Sequence, residues 1–268
     1  PRHCTIAAVG DPPNTTDHVM RTNRPNSAER QARIDLAAAF RWTARLGMHE
    51  AVANHFSLAI DGTGTRFLIN PNQMHFSRIR ASDLIVVDAS DATTLDRPNA
   101  PDPSAWGLHG GLHGHCGHAR CVMHVHSTYA TVLASLADSH LPPIDQNCAT
   151  FYGRYAIDND YGGLAFTAEG QRCAALLDDP QKQVLIMGNH GVVVIGDTVA
   201  DTFNRMYYFE RAAKTYIHAL QTGQPLRVMC HDIAAKTARE LADYPEQATR
   251  HLDELKAILD AEGSNYGQ

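Results

Sequence analysis

His124 and His126 stand two residues apart at the end of an apolar run, Cys121-Val122-Met123. On a strand, side chains at i and i+2 leave the same face, so both imidazoles can reach one ion. A second apolar run, Val184-Leu185-Ile186-Met187, ends in Gly188-Asn189-His190-Gly191, and His190 can close a three-nitrogen set. Three protein ligands with an open position is the arrangement of a catalytic rather than a structural metal site. Zn, Mn, Fe and Co all suit imidazole, so the residues imply a divalent transition metal without choosing one. Spacing alone leaves a plainer reading open, two ordinary histidines at a strand end. The chain has 16 histidines and a second H-x-H at His113-Gly114-His115. The six cysteines include no C-x-x-C, and Cys116 and Cys121 find no second cluster to pair with. That usage fits free thiols in the reducing cytoplasm better than a disulfide framework.

The elements that must position these histidines follow from periodicity. Ser27 starts a helix that runs to Leu46, with Gly47 as its stop. Phe56, Leu58 and Ile60 alternate with polar residues, which predicts a half-buried strand. After the turn Asp61-Gly62-Thr63-Gly64, Phe67-Leu68-Ile69 returns as a second strand, and Leu84 to Val87 gives a third. Asp91 to Pro103 reads as a loop and Ser104 to Gly114 as a helix. Strand Cys121–Val125 and helix Thr128–Ala137 follow. Leu141 to Gly163, with Pro142-Pro143 and Gly162-Gly163, reads as irregular and as a wall of a site. Thr167 caps a helix to Leu177, strands 184–187 and 192–195 flank the Asn-His-Gly turn, and Thr198 caps a long helix to Leu220. Polar amphipathic helices finish the chain. Residues 1–26, rich in Pro, Asn, Thr and Asp, read as an extended arm, and 27–268 as one domain. Helices alternating with strands joined by tight turns predict an α/β domain with a mixed sheet.

Composition excludes several functions. The 268 residues are 44% hydrophobic, enough for a sizeable core. A net charge of −6 with no basic block argues against nucleic acid as a partner. No apolar run reaches the length of a membrane span, and no secretory apolar region follows Pro1-Arg2-His3-Cys4.

Several segments together resemble the class II aldolase/adducin family. They are Ala53-Asn54-His55-Phe56-Ser57, Phe67-Leu68-Ile69-Asn70-Pro71, Ala81-Ser82-Asp83-Leu84, His124-Val125-His126 and Asn189-His190-Gly191, in family order over roughly residues 30 to 220. The resemblance implies a three-layer α/β/α sandwich around a mostly antiparallel sheet. It also implies a homo-oligomer, often a tetramer, with sites at subunit interfaces. His124, His126 and His190 match the three metal-binding histidines, and Asn54 matches the substrate-binding asparagine, with Ser57 and Asn70 beside it.

Two departures redirect the expected chemistry. Ala105 stands where the sugar-phosphate aldolases carry an acidic residue, and alanine can neither bind a metal nor move a proton. Pro103 and the Ile69-Asn70-Pro71-Asn72 segment replace hydroxyl-bearing phosphate holders, which argues against a sugar phosphate. The pattern is similar to a side branch of metal-dependent decarboxylases of hydroxylated aromatic or pyridine carboxylates, and to a non-haem iron oxygenase type. A lyase acting on a small-molecule carboxylate then needs another proton donor. His109 lies one turn beyond Ala105 and His113 one turn further. Glu50, before the Asn54 turn, and Tyr152 are the other candidates, and His75 is a candidate for the pocket lining. An oxygenase on the same site, or an adducin-like interaction module without catalysis, are the alternative readings.

Overall fold

The computed structural model describes residues 27–163, 166–244 and 246–268. The arm expected over residues 1–26 lies outside the described residues, as does the Thr167 side chain. The order is α1 (Ser27–Arg45), β1 (His55–Ala59), β2 (Arg66–Ile69), β3 (Ile85–Asp88), α2 (Pro103–His115), β4 (Cys121–Val125), α3 (Thr128–Ala134), α4 (Gln146–Thr150), β5 (Tyr155–Asp158), α5 (Phe166–Leu176), β6 (Val184–Met187), β7 (Gly191–Gly196), α6 (Val199–Gln221), α7 (His231–Ala242) and α8 (Gln247–Ala261). The strands form one sheet in the order β3-β2-β1-β4-β7-β6-β5. All pairs are antiparallel except β5 with β6. The mixed, mostly antiparallel α/β/α sandwich is therefore the fold.

Alternation along the strands sorts side chains into two cores. Cys121, Met123 and Val125 of β4 face one layer with Val192 and Val194 of β7, packed against Phe40 of α1 and Phe203 and Met206 of α6. Val122, Val193 and Ile195 face the other, against Leu108 and Leu112 of α2 and Cys173 and Ala174 of α5. In the first layer Phe40 stacks on Phe56 with centroids 4.7 Å apart.

Because both faces are covered, β1 is not the half-buried strand its alternation predicted. His55 and Ser57, the polar half of the pattern, are buried beneath α2 rather than solvated. The stretch 141–163 is also more ordered than its prolines and glycines suggested. Asp145 Oδ1 accepts from Cys148 N at 2.7 Å and caps α4, and β5 gains its ladder by pairing with β6, distant in sequence. A 3-10 turn, Ala92–Asp96, interrupts the predicted loop, and α3 stops at Ala134, three residues early.

Helices α2 and α5 meet backbone to backbone through glycines. A Cβ at Gly111 would stand 2.6 Å from the carbonyl carbon of Gly170, and one at Gly170 would stand 2.2 Å from the Gly107 oxygen. This contact fixes α2 against α5, in the layer whose His109 and His113 reach β1. Gly170→Ala should therefore destabilise the protein by about 1–3 kcal/mol through overpacking, despite alanine's better helix propensity. Gly117→Ala, whose Cβ meets nothing within 4 Å, should be near neutral. Urea unfolding midpoints of the two variants check this.

Candidate metal centre and its cavity

The C-terminal end of β4 projects His124 and His126 from the face covered by α2 and α5. His190 arrives from the turn between β6 and β7. One ligand atom from each of the three histidines lies within 4.8 Å of the others, and the three rings are 4.8 Å apart centroid to centroid in every pair. The Asn-His-Gly sequence has a local reason. Asn189 holds φ at 59°, a left-handed conformation that asparagine tolerates better than most residues. A Cβ at Gly191 would meet Val125 O at 2.6 Å and His126 Cδ2 at 2.8 Å, so only glycine lets the turn close onto the end of β4.

Hydrogen bonds orient the ligating nitrogens. His124 Nδ1 is 3.1 Å from Val192 O, and a carbonyl only accepts, so the proton sits on Nδ1 and Nε2 is a lone pair. His126 Nδ1 meets the Glu50 carboxylate, which fixes the same tautomer. The two Nε2 atoms then face each other at 2.9 Å as two acceptors, a repulsion that a cation relieves. Among the described residues His190 Nδ1 has no hydrogen-bond partner, although it is buried. This donor set fits a divalent transition metal, with an outer carbonyl and an outer carboxylate as partners to two of the imidazoles. Burial, followed by the neighbouring imidazoles, holds His124 well below the usual imidazole value. Burial, then His126, pushes His190 down to about 4, so its neutral form persists.

The three histidines open onto a cavity of about 390 Å³. Ala53, Pro103, Leu108 and Met187 supply apolar walls, and His55, Asp102, Ser104 and Glu169 supply polar groups. No lysine or arginine is among the described lining residues. Asp158, Glu169 and Cys173 form a second cluster of metal-type donors. Arg172 already bridges its two carboxylates, so an internal cation occupies that role.

The other candidate residues divide into groups. Glu50 is at the site, but as the partner of His126 Nδ1. Asn54 Oδ1 accepts from Glu50 N at 2.7 Å and His126 N at 3.4 Å, tying its turn to β4, and the buried Asn54 Nδ2 has no partner among the described residues. Asn70 braces that turn, accepting from Phe56 N and donating to Asn54 O. His109, His113 and Ser57 do not line the cavity; they form a buried hydrogen-bonded group behind it, joined to His55. His75 is elsewhere, capping a 3-10 turn and bonded to His49 at 2.9 Å. Tyr152 is also away from the cavity, where its hydroxyl meets His231 Nδ1 at 3.1 Å. Three titratable lining residues, His55, Asp102 and Glu169, are not among the site candidates that the sequence offers. The available signal was weak. His55 neighbours Asn54, but only the register His55↔His124 puts it beside the metal-type histidines.

Two outcomes are expected. Glu50→Gln should weaken zinc binding by about tenfold through loss of the outer carboxylate, read by chelator competition. Burial also holds His55, His109, His113 and His124 below their ordinary values, His113 at about 4. Unfolded, these groups titrate near 6.5, at about the reference value, so below that pH the unfolded chain binds more protons. Stability is therefore complete above about pH 6.5 and falls as pH drops toward 4. The slope is up to about 1.4 kcal/mol per pH unit for each histidine that stays neutral. Urea midpoints of metal-free protein at pH 7 and pH 5 test the sign.

Residues 34–217 match the Class II Aldolase and Adducin N-terminal domain family. A putative aldolase class 2 protein of Caulobacter vibrioides is 32% identical over 215 residues, covering 80% of this chain and 82% of that protein. Decarboxylase NovR of Streptomyces niveus is 26% identical over 210 residues, covering 78% and 76%. The crystal structure of an aldolase II superfamily protein from Pseudomonas syringae superposes with a TM-score of 0.80 at 28% identity, over 91% of this chain and 98% of that one. With its fold, its three-imidazole cluster and these likenesses in agreement, the chain belongs to the class II aldolase and adducin N-terminal domain family.

Proposed function

We propose that this protein is a metal-dependent lyase that breaks a C–C bond, and that its reaction is decarboxylation of a non-phosphorylated hydroxy- or oxo-carboxylate. The observation that carries the reading is the pair of Nε2 lone pairs held 2.9 Å apart on His124 and His126, with His190 completing the set. His124, His126 and His190 would hold the metal, which would supply Lewis acidity for the charge left when the bond breaks. Outer contacts from Val192 O and Glu50 keep the imidazoles aimed, and Asn54 keeps Glu50 and His126 in register.

The rest of the cavity supports a carboxylate without phosphate. No described lining residue offers the lysine or arginine that a phosphate favours. Apolar walls limit water around the reacting carbon. Ala105 is buried against Phe67, Ile69 and Val87, where an acidic side chain would be unsatisfied. The proton that replaces carbon dioxide therefore comes from another group at the cavity, of which the chain offers the carboxyl groups Asp102 and Glu169. The likeness to Decarboxylase NovR adds to this reading. Assembly as a homo-oligomer in the cytoplasm, with 27–268 as one domain, belongs to the same proposal. The cluster of three metal-type histidines weighs against an interaction module without catalysis.

Elemental analysis of tag-free protein should find about one transition-metal ion per chain. His126→Ala and His190→Ala should each lose it while the circular dichroism spectrum persists. Retention of stoichiometric metal by both variants would overturn the assignment. The metal-loaded protein should release carbon dioxide from a member of a hydroxyaromatic, 2-hydroxy- and 2-oxo-acid panel without consuming oxygen. Oxygen uptake coupled to turnover would instead make it an oxygenase.

A further inference from the structure

Behind the cavity four side chains form a continuous buried hydrogen-bonded chain. His55 Nδ1 is 2.8 Å from His109 Nε2. His109 Nδ1 meets Ser57 Oγ, Ser57 Oγ is 2.6 Å from His113 Nε2, and His113 Nδ1 is 2.6 Å from Ala119 O. All four residues are at most 5% exposed. Strand β1 supplies His55 and Ser57, which share a face at i and i+2, and α2 supplies His109 and His113, which share a face at i and i+4.

The direction of this chain is forced from one end. Ala119 O can only accept, so His113 carries its proton on Nδ1, and its Nε2 in the neutral ring is an acceptor. Ser57 must then spend its single proton on His113. With that proton committed, Ser57 Oγ accepts from His109, which is therefore protonated on Nδ1. His109 Nε2 becomes an acceptor, so His55 donates from Nδ1. His55 Nε2 is left as a lone pair. Neutrality of the rings is what burial dictates, since among the described residues no carboxylate hydrogen-bonds to any of the three, and burial holds His113 at about 4.

His55 lines the cavity, its ring stacked on His124 with centroids 4.9 Å apart. Among the described residues its Nε2 has no hydrogen-bond partner, and it is not part of the three-nitrogen set whose donor atoms lie within 4.8 Å of one another. We propose that His55 Nε2 is the cavity's fixed hydrogen-bond acceptor for the hydroxyl of a hydroxycarboxylate ligand, and that His109, Ser57 and His113 are positioning residues that lock it in that state. A ligand hydroxyl donates to His55 Nε2, whereas an ether or a methyl at the same place leaves that lone pair unpaired. The use of the acceptor rests on the metal-dependent reading above. The tautomer does not.

Two measurements test the proposal. Neutron diffraction from deuterated crystals of the as-purified protein at neutral pH should show deuterium on Nδ1 of His55, His109 and His113, and none on His55 Nε2. Deuterium on His55 Nε2 would overturn it whether or not metal is bound. The second compares glycolate with methoxyacetate, which differ in the donor hydroxyl, by calorimetry on zinc-loaded protein. Wild type should prefer glycolate by about tenfold. His55→Phe should erase that ratio and Ser57→Ala should lower it toward unity, both with zinc still near one per chain. Equal affinities in wild type, or a ratio unchanged in His55→Phe, would refute the acceptor role. Failure of wild type to take up zinc would instead strike at the metal reading, with the neutron result still deciding the tautomer.

Discussion

A backbone carbonyl can accept a hydrogen bond but cannot give one, and two carbonyls organise much of this site. Val192 O fixes the proton of His124 on Nδ1. Ala119 O does the same for His113, and through Ser57 for His109 and His55. Glu50, a carboxylate rather than a carbonyl, completes the pattern at His126. Imidazole is ambiguous by nature, with two nitrogens and one proton in the neutral ring. Here the ambiguity is removed one ring at a time, and the unprotonated nitrogens of His124 and His126 are brought together.

Such a polar group can be buried only because its members satisfy one another. A lone imidazole beneath α2 would cost free energy for each nitrogen left unpaired. The covering layer must also come very near the sheet. Within that layer Gly111 and Gly170 permit close packing, since side chains there would push α2 and α5 apart. Close packing of two helices through glycine thus accompanies the polar chain beneath them.

The absence of an acid at position 105 has a packing counterpart. Ala105 fills a small apolar pocket with Phe67, Ile69 and Val87. The cavity's carboxylates come from elsewhere: Asp102 at the N-terminus of α2, and Glu169 on α5. Asp102 is occupied in capping, accepting from Ser104 N at 2.9 Å, and Glu169 is held at 2.7 Å by Arg172. Acidity in this cavity is thus set on different elements from the ones that hold the imidazoles.

The sequence by itself located six of the seven strands, because apolar runs and punctuating turns are local signals, but it missed β5, whose ladder comes from pairing with β6. It also offered His124, His126 and His190 as a candidate cluster, because i, i+2 spacing and the Asn-His-Gly turn are written in neighbouring residues; the fold brings the three together. Its α/β/α class followed from the order of those elements and the family motifs. Tertiary structure decided what lies behind and beside them. The pairing of His55 with His124, the reach of His109 and His113 to Ser57, and the entry of Glu169 all join residues distant in the chain. Tyr152 and His75 carried suitable chemistry but were packed elsewhere, against His231 and His49. Residue type and spacing report which groups can share one element's face. Only the register between strands and the depth of helix packing determine which faces meet.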